Sequence, residues 1–208
     1  MKLRLAFTIG LALCLAGVPA GAQTIYSNGP IDGSTDAWTV DFGYIVSDTF
    51  TVGSGGATMD RLSFGAWILP GDVLLSTEII VSSSEFGGTT FTDQTVNITQ
   101  SSCSGNQFGY NVCTASANLL TPVNLAAGSY WLNLANAVTN TGDPIYWDEN
   151  SGPSQASENS VGTIPSESFT VLGTTSTTGT APTPEPSGIV LLGSGILGLA
   201  GVLRRKLF

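Results

Sequence analysis

Histidine is absent from the 208-residue sequence, and lysine and arginine together number only six. Without histidine, Ser-His-Asp and Cys-His catalysis and histidine-ligated zinc or haem sites are excluded. Charged residues make up 10% of the chain, against roughly 25% in ordinary soluble domains. Between Gln23 and Thr183, Arg61 is the single basic residue beside 14 acidic ones, a net charge of −13. Such a surface repels phosphate backbones, so the sequence predicts no nucleic-acid partner.

The first 22 residues have the three parts of a secretory signal peptide. Lys2 and Arg4 form a positive region, residues 5–15 form an apolar stretch, and a small-residue cleavage motif ends at Ala22. The sequence therefore predicts that the protein is exported and that the signal peptide is cleaved after Ala22.

A second apolar run, residues 188–203, lies near the C-terminus and carries no charge. As a helix it is about 24 Å long, somewhat shorter than the roughly 30 Å hydrocarbon core of a bilayer, and snorkelling basic side chains can close that gap. Arg204, Arg205 and Lys206 follow the run directly. This arrangement predicts one transmembrane helix whose C-terminal end is cytoplasmic.

Pro184, Glu185 and Pro186 stand immediately before the apolar run. Two prolines keep the backbone extended and prevent the membrane helix from continuing outward, which leaves the motif accessible at the membrane surface. The ordered series of a Pro-Glu-Pro motif, a short apolar helix and a basic tail over residues 184–208 resembles the PEP-CTERM sorting signal.

The resemblance implies that the chain is a substrate of an exosortase, a membrane cysteine protease or transpeptidase of bacteria that make exopolysaccharide. It implies that residues 184–186 are the recognition motif, residues 188–203 a transient membrane anchor and residues 204–206 a stop signal. The expected course is an inner-membrane-anchored precursor that later reaches the cell surface or the extracellular matrix.

Residues 23–172 are numerous enough for one domain with a substantial core. Their apolar residues often alternate with polar ones, and turn residues recur at a spacing of roughly ten. The pattern predicts an all-β ectodomain, an antiparallel β-sandwich of jelly-roll type. The predicted strands are Trp38–Phe42, Tyr44–Val52, Met59–Leu69, Val73–Ser82, Thr89–Thr99, Gln107–Thr114, Ser129–Leu134, Ile145–Asp148 and Ser166–Leu172. Residues 173–183, rich in Thr, Ser, Gly and Pro, are predicted to be a linker.

Cys103 and Cys113 are the two cysteines outside the signal peptide. An even pair in an exported domain predicts a disulfide. Gly105, Asn106 and Gly109 lie between the two cysteines and favour a hairpin tip, so the disulfide is expected to staple a loop. A redox or metal role is disfavoured because the spacing is not Cys-x-x-Cys and the domain has no further thiol or imidazole.

The segment from Gly142 to Asn150 combines aromatic and acidic residues. Sugar-binding sandwiches use such combinations, because a pyranose stacks on an aromatic ring while carboxylates and amides bind its hydroxyls. Glycan contact is therefore predicted through Tyr146, Trp147, Asp148 and Asn150. The alternative is that Trp147 belongs to the core and the acids form a solvated turn.

Two further kinds of chemistry can be considered from the acidic residues. Residues 32–36 and 143–150 could each provide three oxygen ligands for calcium, although neither matches an EF-hand loop, and no metal site is assigned. Asp148 and Glu149 could form the carboxylate pair of a glycoside hydrolase, but adjacent strand residues point to opposite faces. The sequence therefore predicts a protein that is not an enzyme.

Taken together, these features predict an exported surface or extracellular-matrix protein with a structural or interaction role in the exopolysaccharide layer. The expected partners are an exosortase, the membrane before processing, and extracellular polysaccharide. A carbohydrate-binding module on the cell surface is the first alternative, and a glycoside hydrolase is the second.

Overall fold

The structure of the protein is a computed structural model that describes residues 22–176. This part of the chain consists of strands and connecting turns and contains no helix, which confirms the prediction of an all-β domain. The strands are β1 Gln23–Ser27, β2 Ala37–Thr39, β3 Ile45–Val52, β4 Ala57–Ile68, β5 Leu74–Ser84, β6 Gly87–Gly105, β7 Asn111–Leu125, β8 Gly128–Thr139, β9 Tyr146–Asn150, β10 Ala156–Glu158, β11 Gly162–Ile164, β12 Ser166–Glu167 and β13 Phe169–Thr175.

The strands form one continuous antiparallel sheet in the order β1-β13-β4-β7-β6-β5-β8-β3-β10-β11. The 19-residue strand β6 joins its two halves, because residues 90–97 pair with β5 and residues 98–105 pair with β7. Strand β9 lies off this path and pairs with β2, β4 and β12. The sheet is thus a single curled surface.

The core lies on the concave side of this curled sheet. In β4 every second residue from Leu62 to Ile68 is a buried apolar side chain, as the two-residue period of a half-buried strand requires. Tyr26 of β1 contacts Phe50 of β3 with a ring-centroid distance of 6.2 Å, although their strands lie far apart in the sheet order. Curling of the sheet therefore brings its two halves together around one core.

Strand β13 continues to Thr175, so the sheet extends three residues into the segment predicted to be a linker. Between residues 22 and 176 there is no helix of sufficient length and apolarity to cross a membrane. The predicted signal peptide before Ala22, the remainder of the linker, the sorting motif, the membrane anchor 188–203 and the basic tail 204–206 lie outside the described residues.

Close packing at Gly65 of β4 generates a prediction about stability. A Cβ atom added at Gly65 would lie 2.6 Å from the Cβ atom of Asp148 and would also collide with the Ser168 hydroxyl. Gly65→Ala should therefore lower the free energy of unfolding by about 2–3 kcal/mol, measured by urea denaturation. Gly53→Ala is the matched control, because an added Cβ there meets nothing within 4 Å. Equal stabilities of the two variants would contradict the packing described here.

Candidate functional site

The hairpin tip between β6 and β7, residues 106–110, is held by one side chain and one disulfide. The Asn106 Oδ1 atom accepts hydrogen bonds from the backbone N–H groups of Phe108 and Tyr110, both at 3.0 Å. The Cys103–Cys113 disulfide closes the base of the tip, which confirms the predicted pairing. The tip is therefore rigidly placed although it lies at the edge of the domain.

Aromatic side chains gather beside this hairpin tip. Phe108 stacks on Trp67 with ring centroids 5.4 Å apart and planes 22° apart. Tyr110 packs edge-on against Tyr146, also at 5.4 Å. With Asp36 and Ala37 these four side chains line a pocket of about 200 Å³, the aromatic pocket.

The residues of the aromatic pocket differ in exposure. Phe108 is 50% exposed, whereas Trp67 is 4% exposed and forms the floor. Tyr110 and Tyr146 are half-buried, and Asp36 is exposed. Burial raises the pKa of Tyr146 to about 12, with the neighbouring Tyr110 acting in the same direction. The Tyr146 hydroxyl is therefore a neutral group that can donate and accept hydrogen bonds.

The floor of the aromatic pocket is positioned by a buried carboxylate. The Trp67 Nε1–H group donates to Asp148 Oδ1 at 2.7 Å. The same carboxylate accepts the backbone N–H groups of Asp32 and Gly33, at 3.1 and 3.0 Å. Burial raises the pKa of Asp148, and the hydrogen bond from Trp67 opposes that shift. Asp148 therefore connects the pocket floor to the loop that carries Asp36.

Glu149, the next residue along β9, has a different partner. Its Oε2 atom accepts the Trp38 Nε1–H group at 3.0 Å, and its backbone N–H donates to the carbonyl oxygen of Asp36 at 3.0 Å. Asp148 and Glu149 thus each bind a tryptophan, and neither carboxylate is exposed at the surface. Their arrangement orders the strand and the loop beside the pocket.

Only one of the four residues predicted to contact a glycan lies in the aromatic pocket, namely Tyr146. The prediction is wrong for the other three, since Trp147 and Asp148 are fully buried and Asn150 is 3% exposed. Trp147 packs on Phe64 and Phe169 in the core. The physical reason is that β9 is enclosed by three strands, which leaves few of its side chains at the surface.

Sequence reasoning does not identify Phe108 or Tyr110 as site residues, and it considers Asp36 only as a possible calcium ligand. Phe108 and Tyr110 lie in a turn rich in glycine and asparagine between two cysteines. Aromatic residues at a stapled hairpin tip have little core to enter, and this is the signal that could have identified them. Asp36 carries no comparable signal, because its place beside the pocket depends on the loop contacts of Asp148.

A second cavity of about 470 Å³, the polar groove, borders the same hairpin tip. Ser104, Asn106 and Gln107 line one side of it, and residues 31–34 line another. The side-chain amide groups of Asn106 and Gln107 donate to the carbonyl oxygens of Gly33 and Ser34, both at 3.3 Å. The loop and the hairpin tip therefore border both the polar groove and the aromatic pocket.

A buried polar cluster lies deeper, where β3 meets β12. The Asn28 side-chain amide donates to Asp48 Oδ2 at 3.1 Å and to the Glu167 carbonyl oxygen at 2.7 Å. Burial raises the pKa of Asp48 to about 6. Glu167 is fully buried, and neither of its carboxylate oxygens has a hydrogen-bond partner. Burial and then the nearby Asp48 carboxylate raise the pKa of Glu167 well above its ordinary value, so its neutral form is favoured.

The two segments considered for calcium do not gather their carboxylates. Asp32 Oδ1 accepts hydrogen bonds from Ser34, while Asp148 binds Trp67 and the loop backbone. Across residues 22–176 no group of three or more Asp, Glu or Cys side chains is arranged to hold a metal ion.

No family model matches the sequence, and no curated protein matches it either. The aromatic pocket and the polar groove are therefore assigned as the candidate site from their geometry and chemistry.

The buried acids generate a prediction about pH. A carboxyl group whose pKa is raised by folding stabilises the native state below its unfolded pKa, and that contribution is lost as the pH rises through the folded pKa. Asp48, shifted from 3.8 to about 6, should account for a fall of about 3 kcal/mol in unfolding free energy between about pH 4 and pH 6. Glu167 should extend the fall to higher pH.

Urea denaturation across pH 4–8 provides the measurement. Glu167→Gln should flatten the fall by up to about 1.4 kcal/mol per pH unit, because the variant has no proton to lose. Glu85→Gln, which removes an exposed acid, is the matched control. A native state that becomes steadily more stable from pH 4 to pH 8 would be the opposite result.

Proposed function

We propose that this protein is a non-catalytic, exported bacterial surface or matrix protein that binds the exopolysaccharide layer through the aromatic pocket. The observation that carries the proposal is a pocket at the domain surface that combines exposed Phe108 with half-buried Tyr110 and Tyr146 beside Asp36. Aromatic rings of the core, such as Trp147, are by contrast fully buried and cannot contact a ligand.

The chemistry of the aromatic pocket fits a sugar ring. The C–H face of a pyranose is apolar and can lie on the exposed face of Phe108, while its hydroxyls need donors and acceptors in the same pocket. The tyrosine hydroxyls supply both, and the Asp36 carboxylate is an acceptor. A site with a few fixed polar groups among aromatic rings is the usual design for a neutral polar ligand.

Export and sorting are supported by the two ends of the chain and by the domain between them. Residues 1–22 have the pattern of a signal peptide, and residues 184–208 resemble a PEP-CTERM signal. The Cys103–Cys113 disulfide fits an oxidising compartment outside the cytoplasm. We therefore propose that an exosortase processes the precursor at the inner membrane, and that the curled sheet is a jelly-roll-like sandwich displayed outside the cell.

The burial and the hydrogen bonds of Asp148 and Glu149 favour glycan binding over glycan hydrolysis. Asp148 and Glu149 are buried and each is bound to a tryptophan. A glycosidase needs two carboxylates on either side of an accessible glycosidic bond, which these two residues do not provide. If the folded protein bound no sugar, that result would indicate a structural role without specific sugar recognition.

The glycan-binding proposal is tested by removing the exposed ring. Phe108→Ala should weaken binding to neutral oligosaccharides identified on a glycan array by about tenfold or more, equivalent to at least about 1.4 kcal/mol, because the stacking face is lost. Isothermal titration provides the affinity. Phe91→Ala is the matched control, since Phe91 is 39% exposed but packs on Tyr130, outside the pocket. A folded protein that binds no glycan on the array would refute the proposal.

The sorting proposal is tested by co-expression with an exosortase. The unmodified chain should lose its C-terminal segment, whereas Glu185→Ala should remain full-length and membrane-bound, because the motif lacks its carboxylate. Intact mass and membrane fractionation provide the measurement, with Thr183→Ala as the control. Unchanged processing of Glu185→Ala would show that the enzyme does not recognise this motif.

A further inference from the structure

The aromatic pocket and the polar groove are lined by neighbouring residues of the same two segments. Loop residues 31–34 line the polar groove, and Asp36 and Ala37 of the same loop line the aromatic pocket. On the hairpin tip, Asn106 and Gln107 belong to the groove, and Phe108 and Tyr110 belong to the pocket. On the loop, Ser34 of the groove and Asp36 of the pocket are therefore two residues apart. On the tip, Gln107 of the groove and Phe108 of the pocket are adjacent.

The two cavities differ in size and chemistry. The aromatic pocket, at about 200 Å³, is smaller than the roughly 300–1,000 Å³ usual for a ligand site, whereas the polar groove, at about 470 Å³, lies within that range. Hydroxyl and amide side chains dominate the groove, namely Ser34, Ser102, Ser104, Asn106, Gln107 and Thr114. These groups match the hydroxyls of a sugar chain that extends beyond one stacked ring.

The charged side chains that line the two cavities are all acidic. Asp32 lines the polar groove and Asp36 lines the aromatic pocket, and no basic side chain lines either cavity within the described part of the chain. Arg61, the only basic residue between Gln23 and Thr183, is six positions from Trp67 on β4, or about 20 Å along the strand. At that distance its charge is largely screened at physiological salt.

We propose that the two cavities form one cleft for an uncharged polysaccharide chain, with one sugar ring in the aromatic pocket and the following sugars in the polar groove. The Asp32 and Asp36 carboxylates repel chains that carry uronate, sulfate or phosphate groups, because no cation in the cleft compensates them. This inference rests on the proposed glycan-binding function and adds the length and the charge class of the glycan.

The test uses the detergent-solubilised full-length protein and isothermal titration. The probes are neutral glucose and N-acetylglucosamine oligomers of one to six units, together with oligogalacturonates of matched length. Affinity for the neutral series should rise at least tenfold from one unit to three or four and then level off. Oligogalacturonates should bind at least tenfold more weakly than neutral oligomers at low salt, with a smaller difference at high salt because of screening.

Variants separate the two cavities and the charge. The double variant Ser104→Ala/Gln107→Ala should lose the gain from added units but keep the affinity for the single unit, whereas Phe108→Ala should lower both. Thr95→Ala, an exposed polar change on β6, should alter neither. Asp36→Asn should improve oligogalacturonate binding several-fold without improving neutral binding, and Asp93→Asn, an exposed acid on β6, is its control.

The outcomes distinguish this inference from the proposed function. If no glycan binds, neither among these oligomers nor on the glycan array, glycan binding itself is refuted. If single units bind as tightly as six and the groove variant behaves like the unmodified protein, the extended cleft is refuted while glycan binding stands. Oligogalacturonates that bind as tightly as neutral oligomers would overturn the charge selectivity alone.

Discussion

The Asp148 carboxylate lies where β9 meets β4 and the loop after β1, and it is fully buried. It accepts hydrogen bonds from the Trp67 indole and from the backbone of Asp32 and Gly33. Gly65 on β4 leaves the space that the Asp148 side chain occupies. Because two segments direct three donors to one carboxylate, its removal would leave several donors unpaired. The pocket floor and the loop that borders both cavities thus depend on this single group.

The hairpin tip, residues 106–110, lines the same two cavities opposite this loop. It is held by the Asn106 side chain and the disulfide as well as by the packing of its aromatic rings on Trp67 and Tyr146. A tip built in this way can leave aromatic residues at the surface without loss of order, since its conformation does not require them to be buried. This combination of local rigidity and exposed aromatic area is what a preorganised binding surface needs.

Sequence periodicity located the long apolar strands well. The predicted strands Tyr44–Val52 and Met59–Leu69 agree with β3 and β4 to within two residues at each end. The predicted strand from Gln107 was misplaced at its start, because the β-favouring Phe108 and Tyr110 lie in a turn that Asn106 imposes. The short strands β1, β10 and β11 were not predicted, since they are too short to show a period. They form by pairing, β1 with β13, β10 with β3, and β11 with β10.

The amino-acid sequence by itself determined the all-β class, the disulfide, the acidic charge and the absence of histidine chemistry. These properties depend on residue identity or on a local two-residue period, so neighbours in the chain are sufficient to define them. Only the tertiary structure decided which aromatic residues are exposed. Tyr146 and Trp147 are adjacent in sequence, yet one lines a surface pocket and the other is fully buried. Strands distant in the chain, β2, β4 and β12, enclose β9, and that packing sets which of its two faces meets solvent.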